Sequence, residues 1–104
     1  MGRTAEQLWE QLAKAQLAKP GVTSGTGFGA NEGLRVSGKI FAMLVRGELV
    51  VKLPKDRVDE LVDLGAARRF DAGKGRPMKE WASVPTSASR RWKGLVEEAK
   101  TFVG

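Results

Sequence analysis

The sequence predicts an α+β fold: a single compact domain over residues 1–104, with an antiparallel β-sheet meander flanked by N-terminal, middle and C-terminal helices. The main observation is the stretch Leu34–Leu53, where apolar and β-branched residues are concentrated. Two dipeptides within it, Ser37-Gly38 and Arg46-Gly47, suit two-residue hairpin turns because glycine accepts a positive φ. On both sides of this block, apolar residues recur at helical spacing. The predicted element order is α-β-β-β-β-α-β-β-α.

The first helix is predicted from Thr4 to Ala18. Thr4 and Gln7 fit a capping box, in which the hydroxyl and the amide satisfy free N–H groups at the start of the helix. Lys19-Pro20-Gly21 ends the helix, because proline cannot continue the hydrogen-bond ladder. A narrow apolar stripe follows the helical period and is expected to dock on the rest of the domain; it comprises Leu8, Trp9, Leu12, Ala15 and Gln16.

Four strands are expected next. Val22–Phe28 is an irregular first strand, weakened by Gly25 and Gly27, and residues 30–33 form a loop. The block Leu34–Leu53 supplies three more strands. Its middle strand is apolar on both faces, which is typical of a strand that packs a helix on one face and another element, or a partner, on the other. Packing inside the domain is the favoured interpretation.

The second helix is predicted from Pro54 to Leu64, with Gly65 as a left-handed terminator. A short strand, Ala67–Phe70, and a return strand, Met78–Val84, follow on either side of a basic loop. The two strands complete the sheet.

The last helix has the strongest amphipathic stripe in the chain. Ser87 or Ser89 is its expected cap. The stripe also places Trp92 in the core, and Trp9 and Trp81 are expected to be core anchors as well. The apolar positions of this helix are Trp92, Leu95, Val96, Ala99, Phe102 and Val103.

The composition excludes several kinds of chemistry. The chain has no cysteine and no histidine, so it cannot form a disulfide, a thiolate nucleophile, a Ser-His-Asp triad or an imidazole metal site. We therefore expect no enzymatic activity and no cofactor. No apolar run is long enough to cross a bilayer, and the N-terminus has no apolar signal core, so a cytoplasmic protein without membrane contact is expected.

The positive charge is concentrated in the C-terminal third. From Ala66 to Lys93 the chain has eight cations and only two anions, Asp71 and Glu80, which accounts for its whole net charge of +6. Such clustering is typical of surfaces that bind nucleic-acid phosphates, although a solvated helix or loop gives the same pattern. The candidate nucleic-acid contacts are Arg68, Arg69, Lys74, Arg76, Lys79, Arg90, Arg91 and Lys93.

Two glycine-rich segments have the composition of phosphate-binding loops without their spacing. Gly25-Thr26-Gly27-Phe28-Gly29 lacks the order of a dinucleotide fingerprint, which favours a flexible or bulged strand. Gly73-Lys74-Gly75-Arg76 lacks the G-K-[ST] ending of a Walker loop. The second segment is either a solvated hairpin tip or a wing that contacts phosphates in a nucleic-acid groove.

Several motifs together resemble a known family over residues 28–103. They are Phe28-Gly29, Gly33-Leu34-Arg35-Val36, Gly38-Lys39-Ile40-Phe41-Ala42, Gly47-Glu48-Leu49-Val50-Val51-Lys52-Leu53, Lys79-Glu80-Trp81 and Val84-Pro85. This order resembles the TfoX/Sxy N-terminal-domain family and is similar to that of the MmcQ/YjbR-like proteins. The resemblance implies a compact domain with an antiparallel sheet and flanking helices.

The resemblance also implies functional classes. The first family includes competence regulators that act with a transcription factor, and the second has been likened to a double-wing DNA-binding fold. Neither supplies catalytic residues, and this chain is expected to lack the second, helical domain of the full-length competence regulators.

We therefore expect a small non-enzymatic binding or regulatory domain that contacts DNA or another nucleic acid through its basic C-terminal third. The alternative is a protein-interaction adapter that uses the outer face of the sheet or the last helix to bind a transcription factor or a second copy of itself. The chain is expected to be a monomer or a homodimer. A small-molecule-binding domain is a third interpretation.

Overall fold

The structure, a computed structural model, describes residues 4–26, 32–71 and 78–104. Its strands form one antiparallel sheet in the order β1-β2-β3-β4-β6-β5. The strands are β1 Val22–Thr26, β2 Glu32–Val36, β3 Lys39–Val45, β4 Glu48–Lys52, β5 Arg68–Arg69 and β6 Trp81–Val84. The helices are α1 Ala5–Leu17, α2 Lys55–Asp63 and α3 Trp92–Val103. The predicted α+β class and element order are confirmed.

The first four strands form a meander, and the last two do not simply extend it. After α2 the chain enters the sheet at β5 and returns through β6, which lies between β4 and β5. Lys52 of β4 is therefore the partner of Trp81 at the start of β6, and Leu49 is the partner of Val84 at its end.

Both predicted hairpin turns are present. Ser37 and Gly38 have φ values of 54° and 76°, and Arg46 and Gly47 have values of 50° and 78°. Positive φ at both central residues is the signature of a type I′ turn, whose twist matches that of the two strands it joins.

A bulge in β3 sends two consecutive side chains to the same side of the sheet. Leu34 is the partner of Ala42, and Arg35 is the partner of Ile40, so Phe41 is the extra residue. Phe41 and Ala42 both belong to the apolar cluster beneath the helices. Ile40 and Met43 face the opposite side, where they meet a second cluster that includes Trp81.

The core consequently has two parts, one on each face of the sheet. The helical face contains Trp9, Trp92 and the large apolar side chains between them. The opposite face contains the smaller cluster of Met43, Val45, Val50, Phe70 and Trp81. All three tryptophans are buried, and the expectation that the middle strand is covered on both faces is confirmed.

The predicted capping box of α1 is present as well. The Gln7 backbone N–H donates to Thr4 Oγ1 at 3.2 Å, and the Thr4 N–H donates to Gln7 Oε1 at 3.0 Å. Within the predicted stripe of α1, Gln16 is buried as expected, whereas Ala15 is exposed. Gly65 ends the second helical region with a φ of 72°, as expected.

Three boundaries differ from the sequence prediction. Gly33 lies inside β2 instead of in a loop. The strands on either side of the basic loop are shorter than predicted. The first comprises Arg68–Arg69 and the second comprises Trp81–Val84.

The predicted cap of the last helix is wrong. Ser87 and Ser89 lie within a 3₁₀ segment, Thr86–Arg91, which is broken by a non-helical conformation at Ala88. Pro85 precedes this segment, and α3 starts only at Trp92, without a side-chain cap. Across the described ranges, none of the helices is both long and apolar enough to cross a membrane.

Candidate nucleic-acid interface

Two of the predicted contacts, Arg68 and Arg69, lie on the edge strand β5 and are paired with carboxylates. Arg68 Nη2 lies 2.7 Å from Glu48 Oε1, which also accepts a hydrogen bond from Ser83 Oγ at 2.6 Å. Arg69 Nη2 donates to Asp59 Oδ1 on α2. Their charges are therefore partly neutralised within the domain.

The pKa of Glu48 reflects this arrangement. Partial burial would raise the pKa, but hydrogen bonds from Ser83 and Arg68, together with the charges of Arg68 and Arg46, outweigh burial and hold it below its ordinary value. Glu48 is therefore ionised at neutral pH and retains Arg68 as its partner.

A second group of predicted contacts, Arg90, Arg91 and Lys93, lies where the 3₁₀ segment meets α3. Arg90 and Lys93 are exposed, and Arg91 is half-buried. None of the three forms an ion pair with another residue in the described ranges. They follow the end of β6 that lies beside the Arg46-Gly47 turn.

Lys79 lies at the other end of β6, two residues before Trp81. Strand β6 therefore separates it from Arg90, Arg91 and Lys93. Lys74 and Arg76 lie outside the residues that the structure describes. The predicted contacts that are described are thus distributed over a sheet edge and two opposite ends of the sheet.

A lysine-lined groove runs past Lys79 across the ends of β3, β4 and β6. Its first part, of about 520 Å³, is lined by Lys39, Ile40, Lys52, Met78, Trp81, Phe102 and Val103. Its second part, of about 480 Å³, shares three of these residues and adds Lys55, Lys79 and Glu80. We call this surface the lysine groove.

Antiparallel pairing brings the four lysines together. Lys39 starts β3 and Lys52 ends β4, so both lie at the end of that hairpin away from its turn. Lys52 is opposite Trp81, which brings Lys79 to the same end, and Lys55 starts α2 directly after β4. Residues from four separate positions in the chain therefore line one surface.

The lysine groove is positively charged and only partly neutralised. Lys52 Nζ is 3.9 Å from Glu80 Oε1, and Lys55 Nζ is 2.9 Å from Asp59 Oδ2. Lys39 and Lys79 are exposed and form no ion pair with the described part of the chain. The hydrogen bond and the charge of Asp59 raise the pKa of Lys55, so that lysine stays protonated.

The floor of the lysine groove is apolar. Trp81 is buried to 6% exposure, and Lys52 Nζ lies 5.7 Å from the centre of its ring in a cation–π contact. Phe102, in contrast, is 41% exposed. It lies near the end of α3, where the chain terminus, Gly104, packs beside Val36.

A further cavity of about 400 Å³ lies beside β5. Its lining includes Arg46, Arg68 and Arg69, but also Glu48 and Asp71. Arg68 pairs with Glu48, and Arg46 Nη2 lies 3.4 Å from the Asp71 carbonyl oxygen. The described lining of this cavity contains two carboxylates, Glu48 and Asp71, whereas that of the lysine groove contains Glu80.

The residues that the structure describes contain no cluster of three or more carboxylates that could hold a metal ion. The carboxylates Glu48, Asp59 and Glu97 each accept hydrogen bonds from cationic or polar side chains. The lysine groove combines cationic side chains with an apolar floor.

Three residues of the lysine groove, Lys39, Lys52 and Lys55, were not among the predicted contacts. They lie before the basic C-terminal third, in a region whose charges balance along the chain. What the three lysines share is their place in the fold, since each lies at the same end of the sheet as Lys79. Finding them requires the pairing of β4 with β6, which local sequence patterns do not specify.

Comparisons with known proteins give one family. The family model described as YjbR matches residues 17–99, which includes the whole sheet and most of α3. A search of curated proteins found no match to this chain.

Proposed function

The chain belongs to the YjbR family, and we propose that it is a non-enzymatic nucleic-acid-binding domain whose lysine groove contacts phosphates. The observation that carries this proposal is the convergence of Lys39, Lys52, Lys55 and Lys79 on one surface, where Glu80 is the carboxylate among the described lining residues. Lysines on such a surface bind phosphates as point charges and read little sequence.

This proposal selects among the predicted contacts. Lys79 belongs to the lysine groove, whereas Arg68 and Arg69 are held by Glu48 and Asp59. Lys52 and Lys55 are paired as well, but Lys39 and Lys79 form no ion pair within the described residues. Arg90, Arg91 and Lys93 are also unpaired there, but they lie at the opposite end of β6 and line neither the lysine groove nor the cavity beside β5. We therefore assign the main phosphate contacts to the lysine groove.

The family resemblance supports the same class of function. The TfoX/Sxy pattern implies competence regulators that act with a transcription factor, and the YjbR-like pattern implies a double-wing DNA-binding fold. An adapter function has weaker support from the surface. The large exposed apolar residues of the described chain are Leu17, Leu64 and Phe102, and they belong to the ends of three different helical regions.

A charge-reversal experiment tests the proposal. Lys39→Glu combined with Lys79→Glu changes two exposed side chains that have no ion-pair partner in the described chain, so the fold should be retained. Fluorescence anisotropy with random-sequence DNA, as duplex and as single strand, should show at least about tenfold weaker binding at about 50 mM salt, because two phosphate contacts become repulsive.

The matched control is Arg90→Glu combined with Lys93→Glu, which makes the same change in net charge at the other end of β6. We expect this control to lower the affinity by less than about threefold, since it lies at the opposite end of β6 and salt screens charge interactions over distances longer than the Debye length. Equal losses in both double variants would overturn the assignment to the lysine groove. Absence of binding to either form of DNA at low salt would overturn nucleic-acid binding itself.

A further inference from the structure

Phosphate contacts leave the apolar floor of the lysine groove unexplained. Phosphates are bound by cations, polar side chains and backbone N–H groups, and none of these needs an apolar surface between them. The first part of the groove nevertheless exposes mainly the apolar surface of Ile40, Met78, Phe102 and their neighbours.

Phe102 is the aromatic residue that this floor presents to solvent. The apolar stripe of α3 is buried at Trp92, Leu95, Val96 and Ala99, but Phe102 is 41% exposed because it lies in the last turn of the helix. Trp81 is nearly fully buried, and its ring already faces Lys52. Phe102 is therefore the side chain available for stacking.

Phe102 lines the same part of the groove as Lys39 and Lys52. A base stacked on its ring would therefore have cationic side chains beside its phosphates. In a duplex the bases are stacked on one another between the two backbones, so this arrangement favours an unpaired strand.

Resting on the proposed function, we infer that the lysine groove binds single-stranded nucleic acid, with lysines along the phosphates and an unpaired base stacked on Phe102. Bases of an undistorted duplex are stacked on one another, whereas those of a single strand can stack on an exposed aromatic side chain without regard to sequence. A cationic rim around an exposed aromatic is the combination that such binding uses.

The test compares three DNA probes of about 12 nucleotides at matched salt: oligo-dT, a random-sequence duplex and an abasic strand that has phosphates but no bases. The wild-type protein should bind oligo-dT about tenfold more tightly than either other probe. Phe102→Ala should lower the affinity for oligo-dT by about tenfold and leave the affinities for the duplex and the abasic strand unchanged. Leu64→Ala, at an exposed apolar residue directly after α2, is the control and should change none of them.

The outcomes separate this inference from the proposed function. If the duplex or the abasic strand binds as tightly as oligo-dT, or if Phe102→Ala affects all probes equally, base stacking is excluded while phosphate binding stands. If no probe binds at low salt, both proposals fail. Thermal unfolding of Phe102→Ala checks that the variant is folded; its exposed position predicts that it is.

Discussion

The side-chain carboxylate of Glu97 connects α3 to the C-terminal end of α1. It lies on α3 and accepts hydrogen bonds from Lys19 Nζ and from the buried Gln16 Nε2 at the end of α1. The bonds from Lys19 and Gln16 outweigh partial burial and lower the pKa of Glu97 below its ordinary value. A carboxylate stabilised in this way makes folding stability dependent on pH.

The sign of this dependence follows from the direction of the shift. Because the folded-state pKa is below the unfolded-state value, the contribution of Glu97 is complete above the unfolded pKa and is lost as pH falls through the folded one. We expect the free energy of unfolding, measured by urea denaturation, to fall as the pH drops below the ordinary glutamate pKa, and Glu97→Gln to make that fall smaller. Glu10→Gln, at an exposed position of α1, is the control. An identical pH dependence in Glu97→Gln and wild type would contradict this account.

At the scale of single elements, glycine has opposite effects in a turn and in a helix. Gly38 has a φ of 76° and Gly94 lies within α3, and a Cβ at either position would meet no other atom within 4 Å. Any difference between their alanine variants therefore comes from the backbone. Comparing the two alanine variants therefore measures the conformational preference of the backbone without a contribution from side-chain packing.

We expect Gly38→Ala to destabilise the protein by about 1 kcal/mol, because a side chain at positive φ is strained. Gly94→Ala should stabilise it by about 0.5–1 kcal/mol, because alanine favours the helix over the unfolded chain. Chemical denaturation of both variants measures the difference. The same sign of change in both would contradict the type I′ geometry of the turn or the helical conformation at Gly94.

Elements whose signal is local could be predicted from the sequence. The capping box of Thr4 and Gln7 and the two glycine turns depend on residues that are adjacent or three apart, so their chemistry is visible in the sequence. The start of α3 was not predictable in this way. Ser87 and Ser89 have good capping side chains, but the conformation at Ala88 interrupts the helix and excludes both from the cap position.

At the scale of the whole molecule, charge along the chain and charge on the surface differ. The C-terminal third has the whole net charge of the sequence, yet Arg68 and Arg69 are paired with carboxylates from β4 and α2. The lysine groove instead draws Lys39 and Lys52 from a part of the chain that is neutral overall. Which cations lie close together depends on the pairing of strands that are distant in the sequence. The periodicity of apolar residues does not specify that pairing.

Binding of nucleic acid at the lysine groove can be observed residue by residue in solution. The most direct measurement is an NMR titration of isotope-labelled protein with the form of DNA that binds more tightly, at about 50 and about 200 mM salt. We expect salt-sensitive shifts of the backbone signals of Lys39, Lys52, Lys79 and Phe102 and of the Trp81 indole, with little change at Arg90 and Lys93. Shifts confined to Arg90, Arg91 and Lys93, or no shifts at low salt, would contradict the claim.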